Sequence, residues 1–249
     1  MPGPKAPLSS GLGQGIYFSK FFSIGNKVDI DENDLLEYLG EDPETRAIIL
    51  YVEQIRNGRR FMDTARRITS HKPVVALKIG RTSSGARASA SHTGAIVGTH
   101  AVYEAAFRQC GVISARTSRE LLDMAKALSL QPPLRGKRVA MITDSGAQWA
   151  ELADLLDQNG LEVPELSPDL QKQLFATEAL PAYGSARNPV DLGAASPMYR
   201  EWYFRSAKIL LESDEIDGVI FIMIGAAMEM AGPQLIKGIG KSYPLMTCL

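Results

Sequence analysis

Ala47-Ile48-Ile49-Leu50-Tyr51-Val52, then residues 56–69, then Pro73-Val74-Val75-Ala76-Leu77 are the stretches on which the fold turns. Each outer run is short, apolar and rich in β-branched residues, as a strand buried on both faces requires. The segment between them carries apolar residues at helical spacing. Strand, helix, strand in that order predicts a parallel sheet flanked by helices. The pattern extends both ways. Residues 31–39 have helical spacing, with acidic residues at the start where the helix dipole favours them. A short strand near Val112-Ile113 and a helix over 118–128 follow. Gln131-Pro132-Pro133 then interrupts, because adjacent prolines do not continue a helix.

The alternation restarts beyond the prolines. Residues 137–143 read as a strand, Asp144-Ser145-Gly146 as a turn and 147–158 as a helix, with Asn159-Gly160 as its C-terminal signal. A short strand at Leu161-Glu162-Val163, helices at 168–176 and 199–212, and a very apolar strand at 218–224 come next. A helix ends over 235–241, and Leu245-Met246-Thr247 begins another strand. The fold class expected is therefore α/β, with two domains of flavodoxin-like build, residues 1–130 and 131–249. The first lacks a clear opening βα unit and the second stops on a strand, so a piece of a longer protein is expected. A complete protein with untidy ends is the alternative.

Composition narrows the function classes. The chain has 249 residues, 45% hydrophobic and 22% charged, with formal net charge −1. That balance argues against nucleic acid or an anionic membrane as the main partner. The longest apolar run, 219–228, is about half the roughly 20 residues that a membrane crossing needs. Residues 1–15 lack the apolar core of a signal peptide. Cys110 and Cys248 form neither a CxxC pair nor a disulfide framework, which fits a reducing cytoplasm. His71, His92 and His100 lack the spacing of a metal site, and no metal is expected.

One histidine stands apart. His92 lies in Ala88-Ser89-Ala90-Ser91-His92-Thr93-Gly94-Ala95-Ile96-Val97-Gly98, after a small-residue, polar loop over 80–91 and before a helix predicted over 95–110. A helix start offers backbone N–H groups and the positive end of a dipole to an anion. Ser91 or Thr93 can cap the helix, and Gly94 lets a ligand approach the backbone. An imidazole can take a phosphoryl group there. A flexible surface loop with a structural histidine is the competing reading.

Glu53 directly follows the first strand, at the edge where open α/β sheets bind ligands. It reads either as a solvated strand-end charge or as a carboxylate accepting the second ring N–H of His92, which would fix the tautomer. Ser23-Ile24-Gly25-Asn26 has the composition of an anion-binding turn. Asp144-Ser145-Gly146 is a possible phosphate turn, although its aspartate would repel phosphate. Asn188-Pro189-Val190-Asp191-Leu192 reads as a structural turn. The methionines 223, 228 and 230 read as packing, and the arginines at 56, 59, 60, 66 and 67 as a solvated helix face.

Taken together and in order, these stretches resemble the α-type region of the NDP-forming acyl-CoA synthetases, the ADP-forming acetate–CoA ligases, and more distantly the succinyl-CoA synthetase α subunit. The stretches are 18–29, 48–53, 72–78, Gly80-Arg81-Thr82, 90–98 and 187–192. The resemblance implies that His92 is a phosphorylated histidine and Glu53 the carboxylate steadying it, with Ser23, Gly25 and Asn26 near the active site. It implies a reversible reaction: acyl-CoA, phosphate and NDP exchange with acid, CoA and NTP through an acyl phosphate and a phosphohistidine. No tightly bound cofactor is implied. CoA, phosphate and Mg-ADP or Mg-ATP are the substrates of the complete enzyme.

The departures are also specific. The CoA-binding Rossmann domain and the ATP-grasp domain or subunit of that family are absent from this stretch. Both are expected as partners, in an oligomer. The second domain's turn, with Ser145 and Gly146, departs from the family's Gly-Gly form. The alternative function is a non-catalytic module that senses acyl-CoA or nucleotide within a protein acetyltransferase.

Overall fold

The structure is a computed structural model. It describes residues 16–25, 27–85, 87, 99–144, 148–193, 198–222 and 245–248. The chain divides into two compact units, Met1–Leu130 and Gln131–Leu249.

In the first unit, helix α1 (Glu32–Glu41) begins at an Asp31 cap. The Asp31 carboxylate accepts the Asn33 and Asp34 N–H groups, and the Asp34 carboxylate accepts the Asp31 N–H. This reciprocal box satisfies donors that a helix start leaves open. Strand β1 (Ile48–Val52), helix α2 (Gly58–Thr69), strand β2 (Val74–Lys78), helix α3 (His100–Gln109), strand β3 (Ile113–Ser114) and helix α4 (Ser118–Leu130) follow. The strands lie in the order β1-β2-β3, all parallel, with Ile48 opposite Val74 and Val52 opposite Lys78.

Strand β2 shows why its sequence is an unbroken apolar run up to Leu77. Val74 and Ala76 pack with Leu36, Phe61 and Phe107 on one face. Val75 and Leu77 pack with Leu121 and Ala125 on the other. Successive side chains on a strand point to opposite faces, and here helices cover both. Each fully buried Leu or Phe of this kind contributes about 1.5–3 kcal/mol of transfer free energy.

The element boundaries differ from the sequence expectation where caps decide. Helix α2 starts at Gly58 rather than at 56, because the Asn57 side chain accepts the Arg60 N–H at 3.0 Å. The loop expected over 80–91 contains helical backbone at 83–85 and 87. There the Thr82 hydroxyl accepts the Gly85 N–H at 3.1 Å. The helix expected over 95–110 is described from His100 onward, and 95–98 lie outside the described residues.

The second unit contains β4 (Val139–Thr143), α5 (Gln148–Gln158), α6 (Pro168–Ala176), β5 (Val190–Asp191), α7 (Tyr199–Glu212), β6 (Gly218–Ile222) and β7 (Leu245–Cys248). Its parallel sheet has the order β5-β4-β6-β7. Ala140 and Ile142 pack among Leu170, Leu174, Tyr203 and Leu210. Val139 and Met141 pack with Leu156, Trp149 and Leu152. Tyr203 is fully buried. Its hydroxyl donates to the Ile222 carbonyl at 2.8 Å, and its ring meets Phe221 edge to face. The expected helix over 235–241 lies outside the described residues.

Two expectations change on the outer side of β4. The strand expected at Leu161-Glu162-Val163 is reduced to a single bridge between Glu162 and Arg138. The segment read as a turn at 188–192 instead contributes strand β5. The reason lies in how β4 satisfies its backbone. The Val139 N–H donates to the Glu162 carbonyl at 2.8 Å, and the Leu192 N–H donates to the Thr143 carbonyl at 2.8 Å. Between them the Asn188 amide accepts the Met141 N–H at 2.9 Å and donates to the Val139 and Pro164 carbonyls. Three segments thus share the work of one long strand, and buried backbone groups find partners.

Arg138 and Asp217 tie β4 to the turn before β6. The Arg138 N–H and Nε donate to Asp217 Oδ2 at 2.8 and 3.0 Å, and a guanidinium N–H donates to Oδ1 at 2.9 Å. These bonds hold the Asp217 carboxyl below its ordinary pKa of 3.8. A depressed carboxylate pKa stabilises the fold above the unfolded value and loses that contribution as pH falls through the folded one. Asp217→Asn is therefore expected to lower stability at neutral pH, by about 1–2 kcal/mol. It should also flatten the acid side of the stability curve below about pH 4. Urea melts of both proteins at pH 7 and pH 3 check this.

No helix among the described residues is long and apolar enough to cross a membrane.

Candidate functional site

Because β1 and β2 are parallel, their carboxyl ends share one edge of the sheet. Glu53 stands there, half-buried, one residue beyond β1. Opposite the last residue of β1 is Lys78, which is only 2% exposed. Its ammonium donates to the Ile79 carbonyl and lies over the Tyr103 ring of α3, 4.8 Å from the centroid. The Tyr103 hydroxyl in turn accepts the Ile55 N–H at 3.1 Å. Burial pushes the Lys78 amine below its ordinary value of 10.5, and the negative charge of Glu53 opposes that shift. Glu53 and Lys78 thus belong to the carboxyl ends of neighbouring parallel strands.

The His92 loop leaves from this same edge. Gly80 has φ 72, a left-handed turn that glycine adopts without a Cβ penalty. Arg81 then reaches across the root of the loop. Its Nε donates to His100 Nε2 at 3.2 Å, and its guanidinium donates to the Arg116 carbonyl at 3.1 Å. Glu104 lies 3.6 Å from the same His100 nitrogen. The segment between Arg81 and His100 is therefore closed at its base, beside β2. His92 itself, with Ser91, Thr93 and Gly94, lies outside the described residues.

Of the turn at 23–26, Ser23 and Gly25 are exposed and Asn26 lies outside the described residues. Gly25 has no positive φ and no atom within 4 Å of a built Cβ, so its backbone does not demand glycine. The unusual conformation belongs to Lys27, at φ 54. Lys27 is gripped on two sides. Its ammonium donates to the Gln54 carbonyl at 2.5 Å and lies 2.7 Å from the buried Glu32 carboxylate. Its carbonyl accepts the Arg56 guanidinium at 2.8 Å, and Glu32 also accepts the Arg56 N–H. These contacts over-determine the strained residue. They join the turn to the loop that starts at Glu53.

The structure thus brings Glu53, Lys27 and the root of the His92 loop to one sheet edge. In the second unit, Ser145 and Gly146 lie outside the described residues, and Asp144, just after β4, is buried. Asn188 is committed to backbone hydrogen bonds and is a structural residue. No cluster of His, Cys, Asp and Glu among the described residues could hold a metal ion. Sequence reasoning missed Lys78. Its one signal was a lysine directly ending an unbroken apolar strand.

The sequence profile of the succinyl-CoA ligase-like flavodoxin domain matches residues 5–128. The chain is 44% identical over 211 residues to the α subunit of an ADP-forming acetate–CoA ligase II from Pyrococcus furiosus, covering 85% of this chain and 45% of that protein. It is 41% identical over 214 residues to an ADP-forming acetate–CoA ligase I from Archaeoglobus fulgidus, covering 86% of this chain and 30% of that one. A solved structure of the dinucleotide-forming acetyl-coenzyme A synthetase 1 of Candidatus Korarchaeum cryptofilum, in complex with phosphate and ADP, superposes with a TM-score of 0.84. Its sequence is 32% identical, and the match covers 97% of this chain and 53% of that chain. The chain spans less than half the length of the two curated relatives.

Proposed function

Because this chain belongs to the succinyl-CoA ligase-like family of NDP-forming acyl-CoA synthetases, we propose that it supplies the phosphohistidine-bearing α-type region of such an acid–thiol ligase. The overall reaction interconverts acyl-CoA, phosphate and NDP with acid, CoA and NTP. Phosphate first displaces CoA from the acyl group, giving an acyl phosphate. The neutral His92 imidazole then attacks phosphorus. The N–P bond forms, the P–O bond to the acyl group breaks, and the carboxylate leaves. Transfer of the phosphoryl group to NDP regenerates the imidazole.

The observation that carries this reading is the meeting of Glu53 with the root of the His92 loop at one carboxyl edge. A carboxylate there can accept the far ring N–H of a histidine delivered by the loop. That holds the reactive tautomer and balances the charge gained on phosphorylation. Transfer of a phosphoryl group depends on positioning and charge stabilisation more than on covalent chemistry. The Ser23–Gly25 turn, with Ser91, Thr93 and Gly94, supplies donors for the phosphate oxygens. Ser145 and Gly146 offer a further candidate phosphate turn in the second unit, and the two units serve as separate domains.

A CoA-binding Rossmann domain and an ATP-grasp domain or subunit complete the enzyme, with the cytoplasm as its compartment. The ligase names of the relatives support this reading over that of an acyl-CoA-sensing module. The test is reconstitution. The chain, combined with those two domains, CoA, acetate and Mg-ATP, is expected to form acetyl-CoA and ADP. Tight CoA or nucleotide binding with no turnover of any short-chain acid would overturn it in favour of a sensor.

A further inference from the structure

Residues 54–56 follow Glu53 without regular structure, yet each is fastened by a side chain from a different part of the first unit. The Gln54 carbonyl accepts the Lys27 ammonium at 2.5 Å. The Ile55 N–H donates to the Tyr103 hydroxyl of α3 at 3.1 Å. The Arg56 N–H donates to Glu32 Oε1, on the first turn of α1, at 3.2 Å. Just before Glu53, the Val52 carbonyl accepts the Ile79 N–H at 3.0 Å. The Gln54 and Arg56 ties belong to one ion pair, because Lys27 and Glu32 meet at 2.7 Å with side chains 15% and 3% exposed. The Arg56 guanidinium closes the ring by donating to the Lys27 carbonyl at 2.8 Å. Stability alone does not explain the pair. Apolar residues of similar size often hold a fold as well as a buried ion pair, or better. What they could not do here is donate to the Gln54 carbonyl and accept the Arg56 N–H.

We propose that Glu32 and Lys27 are positioning residues for Glu53: their ion pair clamps the chain just beyond Glu53 and so fixes where its carboxylate stands at the sheet edge. The clamp is a property of the folded chain. Its effect on rate rests on the phosphohistidine reading, in which the placement of the Glu53 carboxylate governs the reaction. Glu32 is suited to this by its location. The Asp31 capping box fixes the first turn of α1, and the helix dipole favours a carboxylate there. Lys27 is held at φ 54, a conformation that a residue with a Cβ keeps only where surrounding contacts enforce it. The contacts that enforce it are those with Gln54, Glu32 and Arg56. The backbone strain at Lys27 and the buried charge at Glu32 thus serve the same loop.

Two measurements on the paired variant Lys27→Met with Glu32→Leu test this. The paired change removes both charges together, so neither is left buried alone, and the variant is expected to unfold in urea no earlier than wild type. In the first, amide hydrogen exchange of the whole chain is followed by NMR. Exchange at Arg56 should speed up about tenfold or more, the size of one hydrogen bond to a charged group, while exchange at Leu50 inside β1 holds. An unchanged rate at Arg56 overturns the clamp. In the second, the maximal rate of phosphoryl transfer is measured in the reconstituted enzyme. It should fall about a hundred-fold, as when a reacting group is displaced by about an ångström, with the Mg-ATP concentration for half-maximal rate unchanged. The same paired change in a Glu53→Gln background should add little further loss, because the clamp acts through Glu53. A wild-type rate in the paired variant, or losses that multiply in the Glu53→Gln background, would overturn the positioning role. Arg56→Ala, an exposed change that frees the Lys27 carbonyl, carries the same test at smaller amplitude if the paired variant does not fold. A rate loss present with Glu53 and absent with Glu53→Gln supports the clamp, and no loss at all overturns it. A wild type that transfers no phosphoryl group would overturn the phosphohistidine reading, and exchange at Arg56 would still decide the clamp.

Discussion

Replacing His92 with asparagine is expected to abolish phosphoryl capture and, with it, acyl-CoA synthesis. Asparagine is close in size and can hydrogen-bond, but its amide nitrogen has no available lone pair to attack phosphorus. Removing a covalent nucleophile costs on the order of 10⁴-fold or more in turnover, because the partner groups have nothing left to act through. The measurement is acetyl-CoA formation by the reconstituted enzyme, with melting curves to show that both proteins fold. Acyl phosphate formation from acetyl-CoA and phosphate precedes the histidine step, so the variant should keep that half-reaction. Loss of both half-reactions together would place His92 elsewhere in the chemistry.

The second large effect is expected at Glu53. Glutamine keeps the shape but replaces an ionised acceptor with a neutral amide. The ring N–H of His92 would lose the partner that sets its tautomer, and the imidazolium would lose its balancing charge. A loss of about 10²–10⁴-fold in phosphoryl transfer follows, the range for a positioned acid–base partner. Glu53→Gln also removes the negative charge that favours the ionised form of the buried Lys78 amine. It should therefore melt below wild type, by about 1–3 kcal/mol in unfolding free energy. Rates are best compared well below both melting temperatures. An activity loss no larger than the fraction unfolded would reduce Glu53 to a structural charge.

Much of the fold was legible from the chain because parallel strands are buried on both faces. Ile48–Val52, Val74–Lys78, Val139–Thr143 and Gly218–Ile222 are near-continuous apolar runs in the sequence and strands in the structure. The helices between them follow from their spacing, and their ends moved by a few residues where a cap such as Asn57 fixed the start. Strand β5 was harder to read. Its two residues pair with β4 only because Asn188 holds the chain there with a side-chain amide, a long-range contact that local pattern does not encode. Leu161–Val163 failed as a strand for the converse reason: β4 offers that segment a single backbone partner.

At the site, Glu53 was legible from its place after a strand, since sheet topology alone puts it at the carboxyl edge. Lys78 was not. A lysine ending a strand ordinarily reaches solvent, and only the packing of Tyr103 from a helix 25 residues further along the sequence encloses it. The 23–26 turn was legible as a place and not in its cause. The strained residue is Lys27, held by Glu32 and Arg56, whereas the sequence drew attention to Gly25.

Peptide mass spectrometry on the reconstituted enzyme, quenched in base after brief exposure to Mg-ATP, tests the central claim most directly. The account predicts one base-stable, acid-labile phosphate on the peptide containing residues 88–98, located at His92 by fragmentation and absent from His92→Asn. Phosphate on a serine or threonine of that peptide, or full turnover with His92 never modified, would contradict it.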